Sequence, residues 1–162
     1  MSLLEFNKLN NYWCDQTERG NTLYHKAQHG QAIKYYEQAL LSSELMFRNI
    51  DDAQIHDIQV VSPFSVACMN MAHNFWAMQD LKKAGNYFFY NVWRLKKLSD
   101  KNGINADLYF EAIKNWQKAA LAITHFYQQT TQKLAVDFWK QETYDTINNA
   151  RMLFVKNKSS LN

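Results

Sequence analysis

The chain has 162 residues, of which 47% are hydrophobic and 15% aromatic, and its net charge of +3 comes from 18 basic and 15 acidic side chains. That composition argues against a disordered chain, and the balanced charge argues against an obligate nucleic-acid binder, whose basic residues neutralise several phosphates. One proline and four glycines supply too little turn material for a many-stranded β architecture, and the length suits a single domain over 1–162.

Ser2-Leu3-Leu4-Glu5 has the spacing of a capping box, which starts a helix at residue 3. Phe6, Leu9, Tyr12 and Trp13 continue the apolar spacing towards Gly20, Tyr24 and Ala27. A break or kink is expected at Asn10-Asn11, because adjacent asparagines compete for backbone hydrogen bonds. A glycine-containing turn follows at Gln28-His29-Gly30-Gln31, with His29 closing the first helix. The second helix spans about Gln31 to Arg48 and carries Ala32, Ile33, Tyr36, Ala39, Leu40 and Phe47.

Residues 49–62 leave two courses open. One is a loop ending at Ser62-Pro63, the cap and first residue of a third helix. The other is a helix from near Asp52, kinked at Pro63. The third helix carries Val66, Met69, Ala72, Phe75 and Trp76, and Asp80 caps the fourth, from Leu81 to about Leu98. Its Tyr87-Phe88-Phe89-Tyr90 run sets aromatics nearly all round, as in a helix sandwiched between neighbours. Ser99 to Asn105 is turn chemistry. A fifth helix spans about Ala106 to Gln128. Thr130 or Thr131 caps a sixth, with Ala135, Phe138, Trp139, Ile147, Ala150 and Phe154, before a tail that frays from about Lys156.

The hairpins repeat. Gly20, Ala32, Tyr36 and Ala39 recur as Ala72, Ala84, Phe88 and Asn91, at a constant offset of 52 residues. Small residues with one aromatic at these positions are what a tetratricopeptide (TPR) hairpin needs, and Asp15 to Phe47 resembles one. A TPR period is about 34 residues, so roughly 18 residues are inserted around Arg48 to Ser62. Trp116 and Ala120 match a third hairpin more loosely. More narrowly, His25 to about Gln129 resembles a family of small bacterial TPR-like proteins of unknown function. That resemblance rests on Tyr36-Glu37-Gln38-Ala39-Leu40, Cys68-Met69-Asn70, and Phe75-Trp76 before Asp80. It implies an all-α fold: antiparallel helix hairpins stacked as a TPR-like right-handed array of five to seven helices.

Catalytic patterns are sparse. His25 and His29 have the spacing of a metal-binding pair, but no third ligand completes a motif, and a solvated helix end explains them better. Cys68 and His73 diverge on one helix, and His73 reads as a packing residue beside Trp76 and Met69. The glycines do not cluster into a phosphate loop. Asp51-Asp52 reads as solvation of the insertion. Cys14 and Cys68 read as buried thiols of a reducing compartment. The N-terminus lacks a signal-peptide pattern, and no apolar run is long enough to cross a membrane. The expected setting is cytoplasmic, with no enzyme activity, cofactor, metal or membrane partner.

Function is therefore expected on a surface. TPR-type proteins bind extended peptides on the face lined by their first helices. Here that face carries Thr17, Asn21, Tyr24 and His25, then Met69, Asn70, His73 and Trp76, then Lys114, Gln117 and Lys118. The resemblance implies that Asn21, Asn70, Lys114 and Lys118 could hold a peptide carboxylate, although Thr17 stands where a further basic residue belongs. The expected function is non-catalytic binding of another protein or peptide. One alternative is a regulator that binds an anionic ligand or nucleic acid through the basic residues Lys82, Lys83, Arg94, Lys96 and Lys97. Another is a homodimer joined by exposed aromatics such as Trp13 or Trp139.

Overall fold

The computed structural model describes residues 1–130 and, beyond them, residues 140–142, 144, 145 and 148. Ser2 and Glu5 open α1 (Leu3–His25) as a reciprocal capping box. The Ser2 hydroxyl oxygen accepts from the Glu5 N–H at 3.3 Å, and the Ser2 N–H donates to the Glu5 carboxylate at 2.7 Å. The expected kink at Asn10-Asn11 is absent, and α1 is one continuous rod. Its buried Phe6, Gln16 and Gly20, with half-buried Leu9 and Trp13, hold one face against α2 (His29–Arg48). That tertiary seam outweighs the local competition from two asparagines.

The turn between them also differs from expectation. It consists of residues 26–28, and its left-handed residue is Ala27, with φ 57°. Gly30 lies inside α2, and His29 opens that helix rather than closing α1. The Gln28 N–H donates to the Leu23 carbonyl at 2.9 Å and seals the end of α1. The same closure recurs 52 residues later, between α4 (Val61–Ala77) and α5 (Leu81–Ser99). There Gln79 takes φ 63°, and the Asp80 N–H donates to the Phe75 carbonyl at 2.9 Å. All eight repeat positions, from Gly20 and Ala72 to Ala39 and Asn91, are buried.

The insertion follows neither expected course. It forms a short helix, α3 (Ile50–Ile55), anchored by buried Ile50 and Ala53, with Asp51 and Asp52 in its first turn. Left-handed Asp57 then redirects the chain. Val60 and Val61 are fully buried, and their burial starts α4 ahead of the expected Ser62-Pro63 boundary. Pro63 still sits in the first turn, where its missing N–H forfeits no helical bond. Ser62 serves another helix instead of capping its own. Its hydroxyl donates to Glu111 at 3.0 Å and accepts from Asn115 at 3.2 Å, both on α6 (Ala106–Gln129).

Asp80 caps α5 as expected, accepting from the Lys83 N–H at 3.1 Å, and Asn105 caps α6 through the Leu108 N–H at 2.8 Å. Helix α1 packs on α2, α2 on α4, α4 on α5 and α6, and α5 on α6, giving an all-α array of stacked antiparallel hairpins. The core runs through Phe64, Met71, Phe88, Leu95, Trp116, Ile123 and Phe126. Asn74, fully buried, joins the two hairpins by donating to the His29 carbonyl at 3.0 Å. Helix α5 is not buried on all sides, since Phe89 and Trp93 remain about half exposed. Trp13 is half buried, with its indole N–H inside, and so is not an exposed aromatic. Cys14 is exposed, whereas Cys68 is buried. Within the expected sixth helix, residues 140–142, 144, 145 and 148 are helical; its named residues, Trp139 among them, and the expected tail lie outside the described residues.

Candidate functional site

The two left-handed turns place equivalent aromatics at one end of the stack. Tyr24 and Trp76 each give their carbonyl to the N–H of a left-handed residue, Ala27 and Gln79, at 2.9 Å. Around them lies a cleft of about 420 Å³ lined by Tyr24, His73, Trp76, Ala77, Gln79 and His125. Its walls come from α1 and α4, the first helices of the two hairpins, and from α6.

Ring packing fixes the lining. Tyr24 meets His29 edge-on, with centroids 4.9 Å apart, and His25 at 5.9 Å. Trp76 is enclosed by Phe126 at 5.3 Å, His125 at 5.7 Å and Phe88 at 6.3 Å, all near edge-to-face. His73 lies 5.4 Å from Phe88 and 6.3 Å from Trp76. It keeps a solvent-exposed edge. Even so, burial of the rest of its ring, reinforced by His125, holds its pKa below the ordinary histidine value. Among the described residues, no Asp, Glu, Lys or Arg side chain lines the cleft.

Of the residues expected on this face, Tyr24, His73 and Trp76 come together, and Ala77, Gln79 and His125 join them. His125 was legible in one respect, because it follows His73 by the same 52 residues that relate the first two hairpins. The remaining candidates lie elsewhere. Met69 is half buried against the core. Asn70 has its amide nitrogen buried without a hydrogen-bond partner among the described residues, out of reach of a ligand. The Asn21 side-chain oxygen accepts from the Tyr36 hydroxyl at 2.9 Å. Lys114 and Lys118 are exposed on α6. None of these four polar residues lines the cleft.

A second cleft, of about 340 Å³, lies where the C-terminal turns of α2 and α5 meet. Phe47, Ile50 and Leu98 form its apolar part, and Arg48, Arg94, Lys97 and Lys101 surround it beside Trp93. One Glu44 oxygen accepts from the Tyr90 hydroxyl at 2.6 Å and from Arg48 at 2.8 Å, with Arg94 at 3.5 Å. Burial pushes the Glu44 carboxyl up, but these hydrogen bonds and charges outweigh it and hold its pKa below the ordinary value. Lys97 lies over the Trp93 ring at 5.2 Å, and Lys101 pairs with Asp51 at 2.6 Å. Of the other basic residues of α5, Lys83 pairs with Asp80 and Lys96 with Asp100, while Lys82 is exposed.

Among the described residues, no group of three or more His, Cys, Asp or Glu side chains could hold a metal ion. Burial pushes the Cys68 thiol well above its ordinary pKa, which suits packing rather than nucleophilic attack. No helix among the described residues is long and apolar enough to cross a membrane.

No curated protein matches the chain, and no solved structure matches it. Residues 11–151 match a family described as protein of unknown function, DUF2753, and the chain belongs to that family.

Proposed function

We propose that this chain is a non-catalytic, TPR-like protein-interaction module that holds a segment of a partner protein in the cleft between α1, α4 and α6. The observation that carries the reading is the aromatic cleft itself. Tyr24, Trp76, His73 and His125 converge from three separate helices and leave about 420 Å³ between them. A concave, largely apolar lining with few polar groups is the usual character of a ligand site. The repeat supports the TPR comparison, since its eight positions are buried and its two hairpin turns close identically. The resemblance to bacterial TPR-like proteins supports a bacterial cytoplasmic setting.

The test is site-specific photocrosslinking in cells that express the protein. A photoreactive residue at Gln79, on the cleft rim, is expected to capture a discrete partner. A probe at exposed Lys34, on α2, is expected to capture none. Equal capture at both positions, or none at Gln79, would refute the assignment.

A second reading is favoured by the basic cleft. There two guanidinium groups share one carboxylate, and Lys97 faces a ring instead of an acid. Such a site would take an anionic ligand or a nucleic-acid phosphate. The opposing consideration is that Arg48 and Lys97 lie in the last turns of α2 and α5, where cations already complement the helix dipoles. A salt titration of oligonucleotide binding decides between them. A steep loss of affinity with salt, abolished in Arg48→Ala/Lys97→Ala, would favour the anion site.

A further inference from the structure

Taking the cleft as a peptide site, a premise that rests on the proposed function, we infer that its preferred segment carries an acidic side chain beside an apolar one, with His73 and His125 reading the carboxylate. Their placement supports this. His73 projects from α4 and His125 from α6, and both flank Trp76 on the same cleft. Neither has a hydrogen-bond partner among the described residues, so their ring nitrogens remain available to a ligand.

The surroundings point to the sign of the charge. From α1 the cleft meets Tyr24, with His25 against it. From α2 comes His29, engaged with Asn74 at 3.3 Å and with the Tyr24 ring. Behind His73, α5 contributes Phe88, and the α4–α5 turn contributes Gln79. Four of the chain's five histidines thus gather around the site. The carboxylate that follows it in the chain, Asp80, is turned to the Lys83 N–H and ammonium. A cationic ligand would find no counter-charge there and would meet two imidazoles. An acidic one would find two donors, and an adjacent apolar side chain would cover the Trp76 and Tyr24 rings.

Proton linkage follows from that geometry. A bound carboxylate favours the imidazolium, so it raises the histidine pKa in the complex and binding takes up protons. Affinity therefore rises as pH falls from the bound value towards the free one, then levels off. The close packing that lowers the pKa of free His73 persists in the complex, so it moves that window towards lower pH, and the ligand carboxylate sets its width.

The experiment uses the whole chain and two matched peptide arrays. One array holds hexapeptides with an aromatic or aliphatic residue followed by Glu, and the other has Gln in place of Glu. The Glu array is expected to bind more tightly, by about tenfold more at pH 5.5 than at pH 7.5. His73→Gln/His125→Gln is expected to remove both the preference and its pH dependence. Its circular dichroism spectrum should match the parent, and the pH profile of the unsubstituted protein tests the idea without relying on that variant. Equal binding of Glu and Gln peptides that still perturbs Trp76 fluorescence would overturn the acidic preference and leave the peptide site standing. No perturbation by either array at any pH would overturn both.

Discussion

Gly20→Ala tests how closely α1 and α2 approach. A methyl group at Gly20 would lie 2.5 Å from Cε1 and 2.6 Å from Cδ1 of Tyr36. The Tyr36 ring is 2% exposed, and its hydroxyl is fixed on Asn21 at 2.9 Å, so it has no free direction in which to retreat. Replacing glycine by alanine inside a helix contributes about 1 kcal/mol of stability by itself. Against this stand overpacking, about 1–3 kcal/mol, and weakening of the Tyr36–Asn21 hydrogen bond, about 1 kcal/mol. The expected net loss is roughly 1–3 kcal/mol, and each kcal/mol lowers the melting temperature by about 2–4 °C in a chain of this size. Two other glycines calibrate the measurement. A methyl group added at Gly30 would meet nothing within 4 Å, and at Gly85 the nearest atom, Phe126 Cε1, would be 3.4 Å away. Gly30→Ala should therefore stabilise by up to about 1 kcal/mol and Gly85→Ala by less. Urea denaturation followed by helical circular dichroism reads all three. If Gly20→Ala matched Gly30→Ala in sign, the close approach of the two helices would be wrong.

Glu44→Gln should change how stability responds to acid. The depressed Glu44 pKa means that the unfolded chain binds a proton before the folded one does. Its stabilisation is complete above the ordinary value of 4.5 and fades as pH falls through the lower folded value. Denaturation midpoints in acid buffers should fall less steeply for the variant than for the parent, and parallel curves would count against the Tyr90–Arg48–Arg94 network. Asn74→Ala removes the amide that bonds the His29 carbonyl between hairpins. It should cost about 1–2 kcal/mol, seen as a lower urea midpoint with an unchanged slope; no shift would mean that the bond does not couple the hairpins. Cys14 and Cys68 should separate under a thiol reagent, with Cys14 reacting in the native protein and Cys68 only after denaturation. Two equally fast native thiols would contradict the burial of Cys68.

The amino-acid order by itself determined the local structure. Ser2 with Glu5, and Asp80 with Lys83, mark helix starts through bonds that span only three residues. The spacing of apolar residues marks the helix faces, and the 52-residue recurrence of Gly20, Ala32, Tyr36 and Ala39 marks the seams that bury. Such features are readable because backbone geometry and sequence spacing fix them together. The tertiary structure decided wherever one element's energy depends on another's position. Packing against α2 kept α1 straight through two asparagines, and burial of Val60 and Val61 moved the start of α4 and released Ser62 to Glu111. Tyr24, His73 and Trp76 were visible as members of one face. Their cleft needed His125, brought from α6 by the packing of α4 against α6. The basic cleft likewise joins the ends of α2 and α5, which no short-range pattern relates. Spacing along a chain states which side of a helix is apolar, whereas the partner that meets that side is chosen by the total burial of the assembled core.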